Sequence, residues 1–379
     1  MRKTQVALAA LALMASTAAL AAEVKIGGVI DVGITHSSGA GGVSGTYISN
    51  GGLADHSALE IDVSEDLGNG MKAFGSLGMG FNANGQTDDP GVGRGLNGTS
   101  TALAVNNNSL FNRQALVGIS GAFGTVSIGR QLDPYILSNV LMQNYVGMHG
   151  VGRMWLQGAG GVSTGFFVNN SVKYQLPEII PGWQVTAFAT TPNGTRGNQL
   201  INEADTQKLT AYHISGPLGP IAFTAAHHKQ KDAFSGYNVG GTMPVMEGLT
   251  LSAGYANTKN ESATGIAGTG LVTQAAGDKV GSCNLGGSYA LTGSTNLIYQ
   301  HAENDTTNAM KLDTIMVTNA LSKRTTLYAG YSRGKNGIGA DVGTFGGSIT
   351  AAGAATAAGT GPLSQSTNSA FAVGVAHSF

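Results

Sequence analysis

One cysteine, Cys283, stands in a chain of 379 residues, so no disulfide within the chain can hold the fold together. Charge is scarce: Asp, Glu, Lys and Arg make up 11% of the residues, where soluble domains carry roughly 25%. The 20 basic and 21 acidic residues nearly cancel, which gives no reason to expect nucleic acid as a partner. Beyond the N-terminal segment there is no apolar run of about 18 residues, the length a membrane helix needs. A bundle of membrane helices is therefore excluded, although mean hydropathy is slightly positive at +0.05.

Chemistry is equally sparse. The eight histidines are scattered without metal-ligand spacing. His227 and His228 are adjacent, so on a strand they point to opposite faces and cannot chelate together. Asp88-Asp89-Pro90-Gly91 reads as a loop turn. The run GVGRGLNG from Gly91 to Gly98 has glycines like those of a phosphate cradle but no helical pattern after it. No Ser/His/Asp arrangement is identifiable, and neither a catalyst nor a cofactor is expected.

What is present begins with an export signal. Arg2 and Lys3 precede the apolar run Val6–Met14, and Ala19-Leu20-Ala21 fits a small-residue cleavage site. Residues 1–21 are expected to be removed, leaving 22–379 as one domain. Glycine is abundant, 59 residues, about twice the usual ~7%.

The hydrophobic period after the signal is two, the period of strands. Val24, Ile26, Ile30, Val32 and Ile34 share one face of the first strand, with Lys25, Asp31 and Thr35 on the other. Leu59, Ile61 and Val63 alternate with Glu60, Asp62 and Ser64, and Phe371, Val373, Val375 and Phe379 alternate with small residues. One oily face and one small, polar face suit the wall of a water-filled barrel.

Turn signals divide the remainder. The connectors LGNGMK, ISGAFGTV, PEIIPGW, SGPLGPI, PVMEGLT, ALTGST and ALSKRT each join two alternating segments. Mostly longer segments lie between these hairpins: 36–56, 83–109, 132–165, 193–206, 259–278 and 335–368. Short and long connections alternate, as they do between the two ends of an outer-membrane barrel, and the strands count to about sixteen. Tyr174, Trp183, Tyr255, Tyr289, Tyr328, Tyr331 and Phe371 fall on these strands as candidates for interfacial girdles.

Several segments resemble the trimeric general porins of Gram-negative bacteria. They are VKIGGVIDVGI, HSALEIDVSEDLGNGMKAFGSLGMGFN, FNRQALVGISGAFGTVSIGRQ, NNSVKYQLP, LSKRTTLYAGY and the terminal FAVGVAHSF. The resemblance implies an all-β, sixteen-stranded transmembrane antiparallel barrel with short periplasmic turns and long outer loops. It implies a homotrimer in the outer membrane, in contact with lipid and lipopolysaccharide and inserted by the barrel assembly machinery. It also implies that the third outer loop, 132–165, folds into the lumen as a constriction, and that Phe379 belongs to the assembly signal.

The chain departs from the family where that family sets its pore by arginines. The pattern Ser-Arg-apolar-Gly reads Ser57-Ala58-Leu59-Glu60, and Arg-x-Asn-Asn-Ser reads Phe167-Val168-Asn169-Asn170-Ser171. Arg113 and Arg130 remain. Strict alternation would turn both toward lipid, where a mid-bilayer arginine costs roughly 2–4 kcal/mol, so a rim position or a bulge is expected at each. The loop 132–165 carries one acid, Asp133, one fixed base, Arg153, and the titratable His149. So few charges give a weak field across the opening.

Passive diffusion of small hydrophilic solutes and ions is the expected function, with weak charge selectivity. The residues expected to line or shape the constriction are Glu60, Asp62, Gln114, Asp133, Arg153 and Phe167, then Arg113 and Arg130. A saturable site formed by Tyr145, Trp155 and Phe167 is an alternative, as is a barrel acting mainly as an adhesin. Lys173 or Lys208 could restore a basic opening.

Overall fold

The computed structural model describes residues 23–38, 44–50, 57–81, 110–143, 167–190, 208–231, 234–261, 277–305, 311–335 and 367–379. The export signal expected over 1–21 and most of the long connections lie outside them.

The described residues form one antiparallel sheet that closes on itself. Its strands are β1 (Glu23–Ser38), β2 (Ser44–Asn50), β3 (Ala58–Gly68), β4 (Met71–Gly80), β5 (Gln114–Gly121) and β6 (Gly124–Leu132). After a helix, α1 (Pro134–Leu141), come β7 (Phe167–Gln175), β8 (Gln184–Thr190), β9 (Leu209–Leu218), β10 (Ile221–Gln230), β11 (Phe234–Met246) and β12 (Leu249–Asn260). The sheet ends with β13 (Lys279–Ala290), β14 (Thr295–Asn304), β15 (Lys311–Ala320), β16 (Thr325–Lys335) and β17 (Thr367–Ser378).

Seventeen segments make sixteen staves. The upper half of β1, Val32–Ser38, pairs with β2, and its lower half, Glu23–Val29, pairs with β3. β2 and β3 are thus two halves of one interrupted stave. The stretch 36–56, expected to be a loop, contains β2. Its sequence SGTYISN lacks a clean apolar alternation, which hid it.

All seven short connectors are hairpin turns at one end of the barrel. The tightest, between β3 and β4, places Asn69 at φ 54° and Gly70 at φ 76°. Two left-handed residues in succession define the two-residue turn that matches strand twist, and Asn-Gly is the pair that adopts it most readily.

The alternation is realised in space. On six consecutive strands an inward polar residue neighbours an outward apolar or aromatic one: Asn238 with Val239, Ser252 with Leu251, Asn284 with Leu285, Gln300 with Tyr299, Thr314 with Ile315 and Ser332 with Tyr331. The first of each pair is buried and the second exposed. A soluble protein would hide the second set. Here their exposure toward the outside of a closed sheet supplies the oily belt that lipid requires. Pairing of β1 with β17 closes the sheet, the condition for strands to cross a membrane.

The seam where the chain ends meet is tied from inside. The Tyr328 hydroxyl on β16 crosses β17 and donates to Asp31 Oδ1 on β1 at 2.6 Å. It passes directly over Gly374, where an added Cβ would collide with the phenol. Ser57 Oγ accepts from Asp31 N at 2.9 Å and donates to Asp31 O at 3.1 Å. Tyr328 is therefore a buried lumen residue, 4% exposed, and not part of a lipid-facing girdle. Tyr174, Tyr255, Tyr289, Tyr331 and Phe371 do face outward. At the short-turn rim, Phe379 N donates to Gly28 O at 3.1 Å.

Candidate pore constriction

The first part of the third connection folds inside the barrel. Asp133 caps α1, its side chain accepting from Tyr135 N at 2.9 Å, and Pro134 follows at the start of the helix. A carboxylate at the N-cap and a proline in the first turn both favour helix at this point. The helix lies against the lumen faces of β9, β10 and β11.

Its anchors are polar and buried. Ser138 Oγ and Thr224 Oγ1 share a hydrogen bond of 2.9 Å. Asn238 Nδ2 donates to Tyr135 O at 3.0 Å and to Asn139 Oδ1 at 2.8 Å. Tyr135 is fully buried and stacks on His228, with ring centroids 3.6 Å apart and planes 7° from parallel. Burial pushes the Tyr135 phenol well above its ordinary range and keeps it neutral. His228 Nδ1 lies 3.4 Å from Asp133 Oδ2. His228 is buried and His227 exposed, on opposite faces of β10 as adjacency requires.

A second group lies on β3, β4, β5 and β7. Glu60 and Asp62 project inward from β3. Asp62 Oδ1 accepts from Ser76 Oγ at 2.6 Å, and Ser76 Oγ accepts from Gln114 Nε2 at 2.8 Å, a chain across three strands. Arg113 precedes β5, and its backbone N donates to Gly78 O at 3.0 Å. Its side chain turns inward, with Nε 3.7 Å from Glu60 Oε1 and the guanidinium 5.5 Å from the centre of the Phe167 ring. Alternation fails at Arg113 because the strand has not yet begun.

At Arg130 it fails because of a bulge. The β6–β7 register shifts between Gly129 and Gln131, opposite Asn170, which has φ 52°. Arg130 is 8% exposed; its Nε donates to Asn112 O at 2.8 Å and its Nη1 to Asn169 Oδ1 at 2.9 Å. Asn112 in turn pairs with both backbone groups of Gly80. Arg130 is thus a tie between strand ends, away from lipid.

The structure therefore brings together Glu60, Arg113 and Phe167, and separately Asp62 with Gln114. Asp133 sits with the helix anchors. Arg153, Tyr145 and Trp155 lie outside the described residues. Sequence reasoning missed the partnership of Asp133 with His228 and Tyr135. It also gave Lys173 only a secondary place, although that side chain projects inward from β7 between register partners Ser127 and Phe188, neither of them acidic. Among the described residues no cluster of three His, Cys, Asp or Glu could hold a metal ion.

A closed sixteen-stave sheet, oily outside, polar inside and narrowed by an inward-folded loop segment, defines a transmembrane channel barrel. The Gram-negative porin family profile matches residues 7–340, and the chain belongs to that family. It is 29% identical over 354 residues to outer membrane porin protein 32 of Delftia acidovorans, covering 89% of this chain and 90% of that protein. Its fold matches the anion-selective porin from Comamonas acidovorans with a TM-score of 0.68 at 22% identity, over 94% of this chain and 100% of that one. The trimer form of OmpT from Vibrio cholerae matches with a TM-score of 0.60 at 13% identity, over 95% of this chain and 100% of that one. The protein is an outer-membrane porin that crosses the bilayer many times.

Proposed function

We propose that the channel passes small hydrophilic solutes and ions by passive diffusion with only weak preference for either charge. The observation that carries this reading is the Glu60–Arg113 pair. One acid and one base stand 3.7 Å apart on the lumen side, and a compensated pair projects little field into the water path. Phe167, where the family resemblance places an arginine, adds no charge and lies beneath the Arg113 guanidinium. Asp62 and Gln114 supply hydrogen-bonding groups, and Asp133 is committed to capping α1.

In this proposal Glu60, Asp62, Arg113, Gln114 and Phe167 shape one side of the constriction. The loop begun by Asp133 and carrying Arg153 forms the other, and Arg130 holds the strand ends in place. A homotrimer is proposed as well, supported by the trimeric form of the Vibrio cholerae relative. Residues 1–21 are proposed as the export signal and Phe379 as part of the assembly signal. Diffusion needs no catalytic group.

A second reading, anion preference, is favoured by Lys173, whose inward side chain has no acid among its register partners. The fold relative from Comamonas acidovorans is itself described as anion-selective. Zero-current potentials in a KCl gradient separate the two. A potential near zero supports weak selectivity, and a strongly anion-selective value overturns it.

A further inference from the structure

The wall beneath the end of α1 has a floor of glycine. Gly240 on β11 and Gly254 on β12 are register partners, and they share the inward parity of Asn238 and Ser252. Two glycines side by side leave a shallow seat in the lumen face, with no side chain of their own to fill it. Asn284 on β13, the register partner of Gly254, forms one edge of the seat.

Met142, the residue that follows α1, occupies it. Its side chain is fully buried. A Cβ added at Gly240 would lie 3.0 Å from Met142 Cβ. One added at Gly254 would lie 3.0 Å from Met142 Cγ and would collide with its Sδ. The thioether therefore rests where a side chain of residue 254 would be. Methionine, unbranched and polarisable, suits an irregular gap of this kind.

The helix end is fixed around this contact. Tyr135, Ser138, Asn139 and Met142 follow the spacing of one helix face, and all four are buried. Leu137 and Leu141 lie on the opposite face, where Leu141 is 41% exposed. Met142 N donates to Ser138 O at 3.2 Å, and Gln143 Nε2 donates to Asn139 O at 2.7 Å, which closes the last turn. The connection that narrows the channel thus leaves the wall from a point set by the depth of Met142 in its seat.

We propose that Met142 and the Gly240–Gly254 seat set the width of the channel, and so the size of the solutes it passes. The two glycines do so differently. A side chain at Gly240 would also meet the backbone, at Ala253 O and Gly254 Cα, so the sheet itself requires this glycine. Around Gly254 the nearest atoms all belong to the side chains of Met142 and Asn284. Neither polar atom of the Asn284 amide has a hydrogen-bond partner among the described residues, so that amide can turn aside. What Gly254 makes room for is the loop. Ordinary carbon contacts lie at about 3.5–4.0 Å, so a methyl group there must drive the thioether lumenward by about 1 Å. Gly254 and Met142 are positioning residues that act through the loop. The inference rests on the channel reading but not on its charge preference, since neither residue is ionisable.

The test is planar-bilayer recording of the refolded mature chain, with liposome swelling in sugars of increasing size. Gly254→Ala should lower single-channel conductance and move the swelling cut-off to smaller sugars. Its zero-current potential in a KCl gradient should stay at the wild-type value. Gly287→Ala makes the same substitution on β13 at the outward parity of Leu285 and Tyr289, and should change neither conductance nor cut-off. Gly254→Ala combined with Met142→Ala shortens the loop's side chain and makes room for the methyl group, so most of the lost conductance should return. A defect confined to β12 would not be rescued in this way. Wild-type conductance and cut-off in Gly254→Ala, or no recovery in the double variant, would overturn the proposal. Should Gly254→Ala not fold, Met142→Trp decides. It overfills the seat from the loop's side and leaves every strand unchanged. Conductance should again fall, and a wild-type value would overturn the assignment. A wild-type chain that folds and inserts without conducting would instead overturn the channel reading beneath it.

Discussion

Replacing Glu60 by Gln removes the carboxylate 3.7 Å from Arg113 Nε and leaves a guanidinium uncompensated on the lumen side. A unit charge about 5 Å from a passing ion in water-like dielectric changes its energy by about 0.8 kcal/mol. Screening with a Debye length of about 10 Å at ~0.1 M salt reduces this to about 0.5 kcal/mol. The change has opposite sign for cations and anions, so the two separate by about 1 kcal/mol, about fivefold in permeability ratio. Glu60→Gln should therefore shift the zero-current potential in a KCl gradient toward the anion value. Arg113→Gln should shift it toward the cation value by a similar amount, and the double variant should return near the wild type. Potentials unchanged in both single variants would refute the assignment of this pair to the permeation path. A double variant equal to the more extreme single would refute the compensation argument.

Three further outcomes follow from the same geometry. Tyr328→Phe deletes the hydrogen bond to Asp31 across the seam and should lower barrel stability by about 1.5–3 kcal/mol. Urea midpoints in detergent would show this, and an unchanged midpoint would remove the seam tie from the account. Asn238→Ala frees the Tyr135 carbonyl and Asn139 from their shared donor, so α1 should detach more often. Single-channel records should then show more frequent brief closures at an unchanged open conductance, and a record identical to wild type would contradict the anchoring role. Glu261, just past β12, is held below the ordinary carboxylate range chiefly by its hydrogen bond to Lys229. A depressed folded-state value means its contribution is present above the unfolded carboxylate range and is lost as pH falls through the folded value. Carbon-detected titration should place its midpoint below that of a free Glu, and Lys229→Gln should raise it.

Much of the wall was legible because each hairpin announces itself twice, by alternation on either side and by turn chemistry between. Asn69-Gly70 is the clearest case, and β13, Lys279–Ala290, fills the segment left between the long connection 259–278 and the connector ALTGST. The interior was less legible because it depends on departures from the period. The bulge at Asn170 rests on one left-handed residue inside an otherwise regular strand. That bulge, with the late start of β5, decides where Arg130 and Arg113 point. Tyr328 is an instructive miss: its parity matches the inward Gly330 and Ser332, so alternation alone would have placed it in the lumen. Chemical type suggested a girdle instead. The helix α1 left a local signal in Asp133-Pro134, a cap followed by a first-turn proline. Eight residues are too few for a hydrophobic period to confirm it. The His228–Tyr135 stack pairs residues far apart in sequence, and nothing local encodes it.

Planar-bilayer recording of the refolded mature chain tests the central claim most directly. A closed sheet with a wet interior predicts discrete conductance steps that grow nearly in proportion to bulk salt. Folded protein that inserts into the bilayer yet gives no steps would mean a plugged or dry lumen, and would contradict the account.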